Sequence, residues 1–222
     1  KRIAKEAVKS GWFDDVIVLG PENMNPEFRT QYADILEKPR IGGYGVWRHT
    51  IIIETISKMN DGDFLVYLDS GCTINTAGKS RFDKYLNMLK ASEYDIISMQ
   101  LKSKEYQYTN HRIFEFFNIS KTSPIYSSSQ LADGILIMQK GEHLMQFLKG
   151  VESALQFDRW LFSDNYNEET KQIEPRFKDN RHEQSVMSVV RKMIGSIVIR
   201  DETWAADGFK SSWPFWATRI RV

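Results

Sequence analysis

Cysteine is almost missing from this 222-residue sequence, where Cys72 stands alone. An intrachain disulfide framework and a cysteine-based zinc site are excluded, and a single thiol suits a reducing cytosol. Long apolar runs are missing too. None approaches the ~20 residues that a membrane-crossing helix needs, and no leader-like stretch is found, so a cytoplasmic chain without a transmembrane segment is expected. Neither sign of charge is in surplus, with 30 basic and 29 acidic side chains. Nothing therefore requires nucleic acid or an anionic membrane as a partner. Linkers, internal repeats and low-complexity tracts are also lacking, and a single domain over residues 1–222 follows. The sequence does not begin with Met, and Lys1 to Ser10 already reads as a helix, so a native segment upstream of Lys1 is expected.

What is present is an ordinary globular composition, 41% hydrophobic and 27% charged. Helical periodicity places Ile3, Ala4, Ala7 and Val8 on one face of the first ten residues, with Gly11 as a stop. Val16 to Leu19, closed by Gly20-Pro21, reads as a buried strand. Asn25 to Arg40 reads as a short helix and a loop, and His49 to Met59 as a helix. Ser80 to Ser92 is helical in pattern and Asp95 to Met99 extended. Lys102 to Gln130 loses the pattern and suggests a small mixed sheet or mobile loops. Gly134 to Met138 is a strand, Gly141 to Gln156 a helix, and Phe157 to Lys178 a surface loop or lid. Arg181 to Met193 and Ile197 to Ile199 close the series as helix and strand. Alternation of this kind predicts an α/β layered protein with a mostly parallel central sheet.

The strongest chemical signal is Phe64 to Cys72, FLVYLDSGC. Five apolar residues, fed by the turn Asn60-Asp61-Gly62, read as a buried strand. Asp69 then lies at its carboxyl end, the edge where open α/β sheets collect ligands. Gly71, lacking a Cβ, lets the backbone lie close to a bulky anion. Such a carboxylate suits a divalent metal holding a diphosphate, and equally suits a helix cap or a turn.

Three further stretches carry polar chemistry. Arg40 to Arg48 places Gly42, Gly43 and Gly45 before a helix, where backbone amides can meet a phosphate and Arg48 adds a cation; the alternative is a flexible connection with Trp47 packed against it. Asp133-Gly134 precedes a strand and reads as a loop facing a ligand, or as an Asp-Gly turn. Asp179 to Gln184 opens the last helix, with Asp179 or Asn180 as its cap and Val186, Val189, Val190 and Met193 as its buried stripe. His182, four residues before Val186, shares that inward direction and is a candidate metal ligand or hydrogen-bond partner. No Ser-His-Asp triad is visible, and the lone Cys has no base partner.

The string GGYGVWRHTIIIETISKMNDGDFLVYLDSGCTIN, with DNRHEQSVMSVVRK downstream, resembles small glycosyltransferases of the GT-A type. These are nucleotide-diphosphosugar transferases found in bacterial polysaccharide clusters and in large chlorella viruses. In them an Asp-x-Gly-Cys after a buried strand takes the place of the Asp-x-Asp that other GT-A enzymes use for Mn²⁺ or Mg²⁺. The resemblance implies a GT-A, Rossmann-like domain with a small mixed second sheet, moving a sugar from a UDP-sugar to a glycan acceptor, with a leaning towards retention. By the same resemblance, Asp69 holds metal and diphosphate, with Ser70 and Gly71 shaping its loop. Trp47, Arg48 and Gly43 belong to the donor site, and Arg48 faces the diphosphate. Asp133, beside Gly134, lies by the sugar or acceptor and is the candidate base of an inverting transfer. Arg181, His182 and Gln184 close the donor pocket, and His182 is the second candidate metal ligand. Family members commonly carry Trp-Lys-Pro where this chain has Trp47-Arg48-His49. Their first strand would precede Lys1. A sugar nucleotidyltransferase and a glycan-binding domain with a decayed site are the competing readings.

Overall fold

The computed structural model describes residues 2–204 and 208–220. Along the chain it forms α1 (Arg2–Ser10), the short helices α2 (Pro26–Gln31) and α3 (Ala33–Leu36), a single turn α4 (Ile41–Tyr44), and α5 (Trp47–Ile56). Next come β1 (Phe64–Leu68), β2 (Thr73–Ile74), α6 (Lys79–Lys90) and β3 (Ile96–Lys104). Three short helices follow, α7 (Glu105–Tyr108), α8 (His111–Phe116) and α9 (Pro124–Ser127), then β4 (Ser129–Leu131) and β5 (Ile135–Gln139). The chain continues with α10 (Glu142–Phe157), α11 (Asn167–Ile173), α12 (Glu183–Ile194), β6 (Ile197–Arg200) and β7 (Phe215–Trp216).

This is an α/β arrangement of helices around a mixed, open sheet. The expected parallel bias does not hold. β5 lies antiparallel between β1 and β3, β4 is antiparallel to β3, and β6 alone pairs in parallel, with β3. The reason lies between β3 and β5. A parallel return needs a long crossover laid on the sheet, whereas α7 to α9 are short turns of helix that bring the chain back from the far end. β4 and β5 thus occupy successive parts of one edge of β3, with Ala132-Asp133-Gly134 as the break between them. The second sheet is a two-stranded antiparallel pair, β2 with β7.

Alternation along β5 shows how the sheet is sandwiched. Leu136 and Met138 join a cluster with Ile52 and Ile56 of α5, Phe147 and Val151 of α10 and Val186 and Val190 of α12. Ile135 and Ile137 face the opposite side, with Ala7 of α1 and Phe82, Tyr85 and Leu89 of α6. Both faces being covered explains why β5 reads as a continuous apolar run.

Other expectations are corrected. Val16 to Leu19 forms no strand, and Ile17, Val18 and Leu19 are exposed, while β1, expected as a buried strand, is only partly buried along its length. Apolar sequence alone cannot make a strand without a backbone partner. The edge of β1 away from β5 is likewise unpaired among the described residues. Residues 105–127 hold three short helices joined by turns rather than a second sheet. The segment after Phe157 is not purely a surface loop, since Leu161 and Phe162 are fully buried. On α12, Met187 takes the buried place assigned to Met193, which is 48% exposed.

Candidate active site around Arg48

Four elements converge at the carboxyl end of β1. Asp69 follows that strand, and its amide donates to the Gly134 carbonyl at 2.9 Å, which ties it to the break between β4 and β5. A Cβ on Gly134 would sit 2.8 Å from Asp69 Oδ2, so glycine is what permits this approach. Asp133 protrudes from the same break. α12 contributes Glu183 from its first turn, and α5 contributes Arg48 from its own.

Arg48 is the hub. Only 4% of its side chain is exposed, and its guanidinium meets three carboxylates. Nη1 contacts both Asp133 and Glu183, and Nη2 donates to Asp69 Oδ1 at 3.0 Å. Nε donates to the Tyr67 hydroxyl at 3.1 Å, and that hydroxyl in turn donates to Asp69 Oδ1 at 2.7 Å. The geometry therefore commits Arg48 to protein carboxylates at the wall of the cavity, where the resemblance put a diphosphate. Asp69 is the member that looks outward, its side chain 42% exposed. Its Oδ1 is taken, while Oδ2 has no hydrogen-bond donor among the described residues.

One buried cation cannot balance three ionised carboxylates. Burial pushes the Glu183 carboxyl up to about 8, with Arg48 opposing and Asp133 adding to the rise. Burial also raises Asp133, against the pull of Arg48. Glu183 therefore keeps its proton near neutrality, which lessens the negative charge that Arg48 has to balance. Glu183 would release that proton in the unfolded chain above its ordinary value of 4.5. Between there and about 8 the folded state holds a proton that the unfolded state has lost, so stability falls as pH rises. The thermal midpoint is expected to drop across this window in the wild type. Glu183→Gln should flatten the slope, and an unchanged slope would show that Glu183 does not carry it.

The glycine-rich loop has a different job from the phosphate cradle expected of it. Ile41, Gly42, Gly43, Tyr44 and Gly45 all have positive φ, so α4 is one left-handed turn. The amides of Gly42, Gly43, Tyr44, Val46 and Arg48 donate to the chain's own carbonyls between Lys38 and Gly45, leaving them no phosphate to meet. The glycines allow close packing instead. A Cβ on Gly43 would lie 2.7 Å from Leu36 Cα, and one on Gly45 would lie 2.4 Å from the Glu183 carboxyl carbon. Gly45→Ala should cost about 2–3 kcal/mol, through left-handed strain and a clash with Glu183. Urea melts read this directly, and a loss below a few tenths would refute the packing account.

Of the remaining predicted residues, several reach the same cavity. Trp47, Arg48, Asp69, Ser70, Gly71, Asp133, Gly134, Arg181, His182 and Gln184 all line a cavity of about 2640 Å³, which also runs between Val16–Leu19 and β1. Gly43 is buried beneath its turn and does not line it. Gln184 Nε2 donates to Gln130 Oε1 at 2.7 Å, and Arg181 Nη1 donates to the same oxygen at 3.2 Å. His182 points inward as expected, but its Nε2 is engaged by Asp164 Oδ1 at 2.9 Å and its ring packs on Tyr44. Burial lowers its proton affinity. Its φ of 59° with ψ of −127° is a strained setting for a residue with a side chain. Neither Asp179 nor Asn180 caps α12. Asp179 binds Arg40 and Asn167, and Asn180 donates to the carbonyls of Leu161 and Ser163. Cys72 is buried, with its thiol pushed up to about 12 by burial, and offers no nucleophile.

No family model, curated protein or solved structure matches the chain. The site must be read on its own chemistry.

Glu183 and Tyr67 were not singled out from sequence. Glu183 stands three and four residues before the buried Val186 and Met187, so helical spacing already put it on the inner face. Among the described residues, no group of three or more His, Cys, Asp or Glu side chains is arranged to hold a metal. The free Oδ2 of Asp69 fits a cation as one oxygen ligand, and His182, held by Asp164, is not beside it as a second.

Proposed function

We infer that this protein is a glycosyltransferase, moving a sugar from a nucleotide-diphosphosugar to a hydroxyl of a glycan acceptor. The observation that carries this reading is Asp69: a half-exposed carboxylate at the end of the partly buried edge strand β1, opening on a cavity large enough for a nucleotide sugar. The resemblance to GT-A transferases favours UDP as the nucleotide. In such a transfer the bond from the sugar's anomeric carbon to the diphosphate oxygen breaks, and a bond to the acceptor oxygen forms.

Mn²⁺ or Mg²⁺, held by Asp69 and by diphosphate oxygens, would neutralise the charge growing on the leaving group. The chain's own part is to keep Asp69 oriented. Tyr67 and Arg48 fix its Oδ1, leaving Oδ2, which lies against Gly134, without a donor among the described residues. Asp133, raised by burial, is the carboxylate placed to take the acceptor's proton if the transfer inverts. A retaining transfer needs no such base. Arg181 and Gln184, tied together through Gln130, line the donor side.

A panel of UDP-, GDP- and dTDP-sugars tests the reading, each with Mn²⁺ and with EDTA. One donor class should raise the thermal midpoint, because a ligand that binds the folded state stabilises it, and should release its nucleoside diphosphate. EDTA should abolish release. Pyrophosphate production from a nucleoside triphosphate and a sugar phosphate would instead establish a nucleotidyltransferase, and no binding by any donor would leave a non-catalytic domain.

A further inference from the structure

The chain after β7 returns to the site. Residues beyond Trp216 run beside Gly71, where the Ile220 amide donates to the Gly71 carbonyl at 3.1 Å and the Thr218 hydroxyl donates to it at 2.7 Å. A Cβ on Gly71 would stand 3.3 Å from Arg219 Cα, so this strap lies directly on the loop that follows Asp69. Arg219 has a φ of 53°, a left-handed setting that a residue with a Cβ adopts at a cost. Its guanidinium lies 5.8 Å from the centre of the Trp204 ring, and Trp204 is itself 51% exposed in the cavity. Across the opening, Arg181 lies 3.7 Å from the centre of the Tyr108 ring. Both arginines line the cavity with Asp69, Ser70 and Gly71.

Neither guanidinium pairs with a carboxylate among the described residues; Arg181 has only the Gln130 oxygen. Burial disfavours the charge on Arg181, Tyr108 favours it, Arg219 disfavours it again, and the more distant Asp133 offsets part of that. Two like charges within reach of each other are an unfavourable arrangement unless an anion joins them. Stacking on Tyr108 fixes the plane of the Arg181 guanidinium, while Arg219 lies too far from Trp204 to stack and keeps its N–H groups free for a forked bond to phosphate oxygens.

We propose that Arg219, carried in by the terminal strap, and Arg181 form a two-guanidinium clamp for the diphosphate of the donor. Naming that ligand rests on the transferase reading; the anion site itself does not. The clamp holds charge without a metal, which explains how a site with one outward carboxylate can bind a polyanion.

Inorganic pyrophosphate is the probe, titrated calorimetrically into the whole protein in EDTA. The wild type should bind it, with affinity falling as salt rises. Arg219→Gln and Arg181→Gln should each weaken binding about tenfold, the loss expected for a charged hydrogen bond, and the double variant should bind none. Arg219 is exposed, so Arg219→Gln should keep the wild-type thermal midpoint. Wild-type affinity in both single variants, or no binding by the wild type, overturns the clamp. If pyrophosphate binds as described but no sugar nucleotide is turned over, the clamp stands and the transferase reading fails. If a donor is turned over with unchanged KM in Arg219→Gln, the clamp fails and the transferase reading stands.

Discussion

Arg48→Met should destabilise the protein by about 3–5 kcal/mol, more than any other single change at the site. The argument is electrostatic. Asp133 and Glu183 are buried, with 9% and 4% of their side chains exposed, and Arg48 Nη1 is the cation in contact with both. Methionine keeps much of the volume but removes the only cation in contact with all three carboxylates. In a protein of this size each kcal/mol moves the midpoint by about 2–4 °C, so a fall of roughly 10 °C is expected by calorimetry. The double variant Arg48→Met with Asp133→Asn should recover part of the loss, because it removes the buried carboxylate left without its cation. A midpoint within about 2 °C of wild type, roughly 1 kcal/mol at this size, would mean that the cluster is not held by this charge.

Asp69→Asn should do the reverse, leaving the fold intact and removing function. Its side chain is 42% exposed, and Arg48 keeps Asp133 and Glu183 when Asp69 is neutralised. The amide oxygen can still accept from Tyr67 and Arg48. What disappears is the negative charge of the carboxylate. Sugar transfer should fall by about 10²–10³-fold, the scale seen when one preorganised electrostatic contact is lost, while the melting midpoint holds or rises. Full transfer by Asp69→Asn would remove this carboxylate from the chemistry. Measured together, the two variants separate the residue that builds the site from the residue that uses it.

Much of the scaffold was legible because its periodicity is strong. The long helices, and the strands at Phe64, Ile135 and Ile197, announce themselves by apolar spacing and lie close to the expected bounds, although α5 ends three residues before the expected Met59 and β3 runs five residues past the expected Met99. The end of an apolar run gave Asp69 its place without any knowledge of its neighbours, although that run is only partly buried. What sequence could not give was pairing. Val16 to Leu19 has a strand's composition but no ladder, and β5 has a buried strand's composition that says nothing of its direction. The commitment of Arg48 to protein carboxylates was hidden for a similar reason. An arginine beside a glycine loop looks the same in sequence whether its partners are phosphates or three carboxylates from β1, α12 and the β4–β5 break. Arg219 was invisible because its role depends on where the strap lies, and no local pattern encodes that.

The bare edge of β1 has a consequence for handling the protein. A row of backbone donors and acceptors along Phe64–Leu68, unpaired on one side among the described residues, is a template for any extended chain that meets it. At high concentration the readiest such chain is the exposed Ile17-Val18-Leu19 run of another molecule, so solutions of this polypeptide should tend towards oligomers and precipitation, and crystals grown from it should be inspected for strands added at that edge.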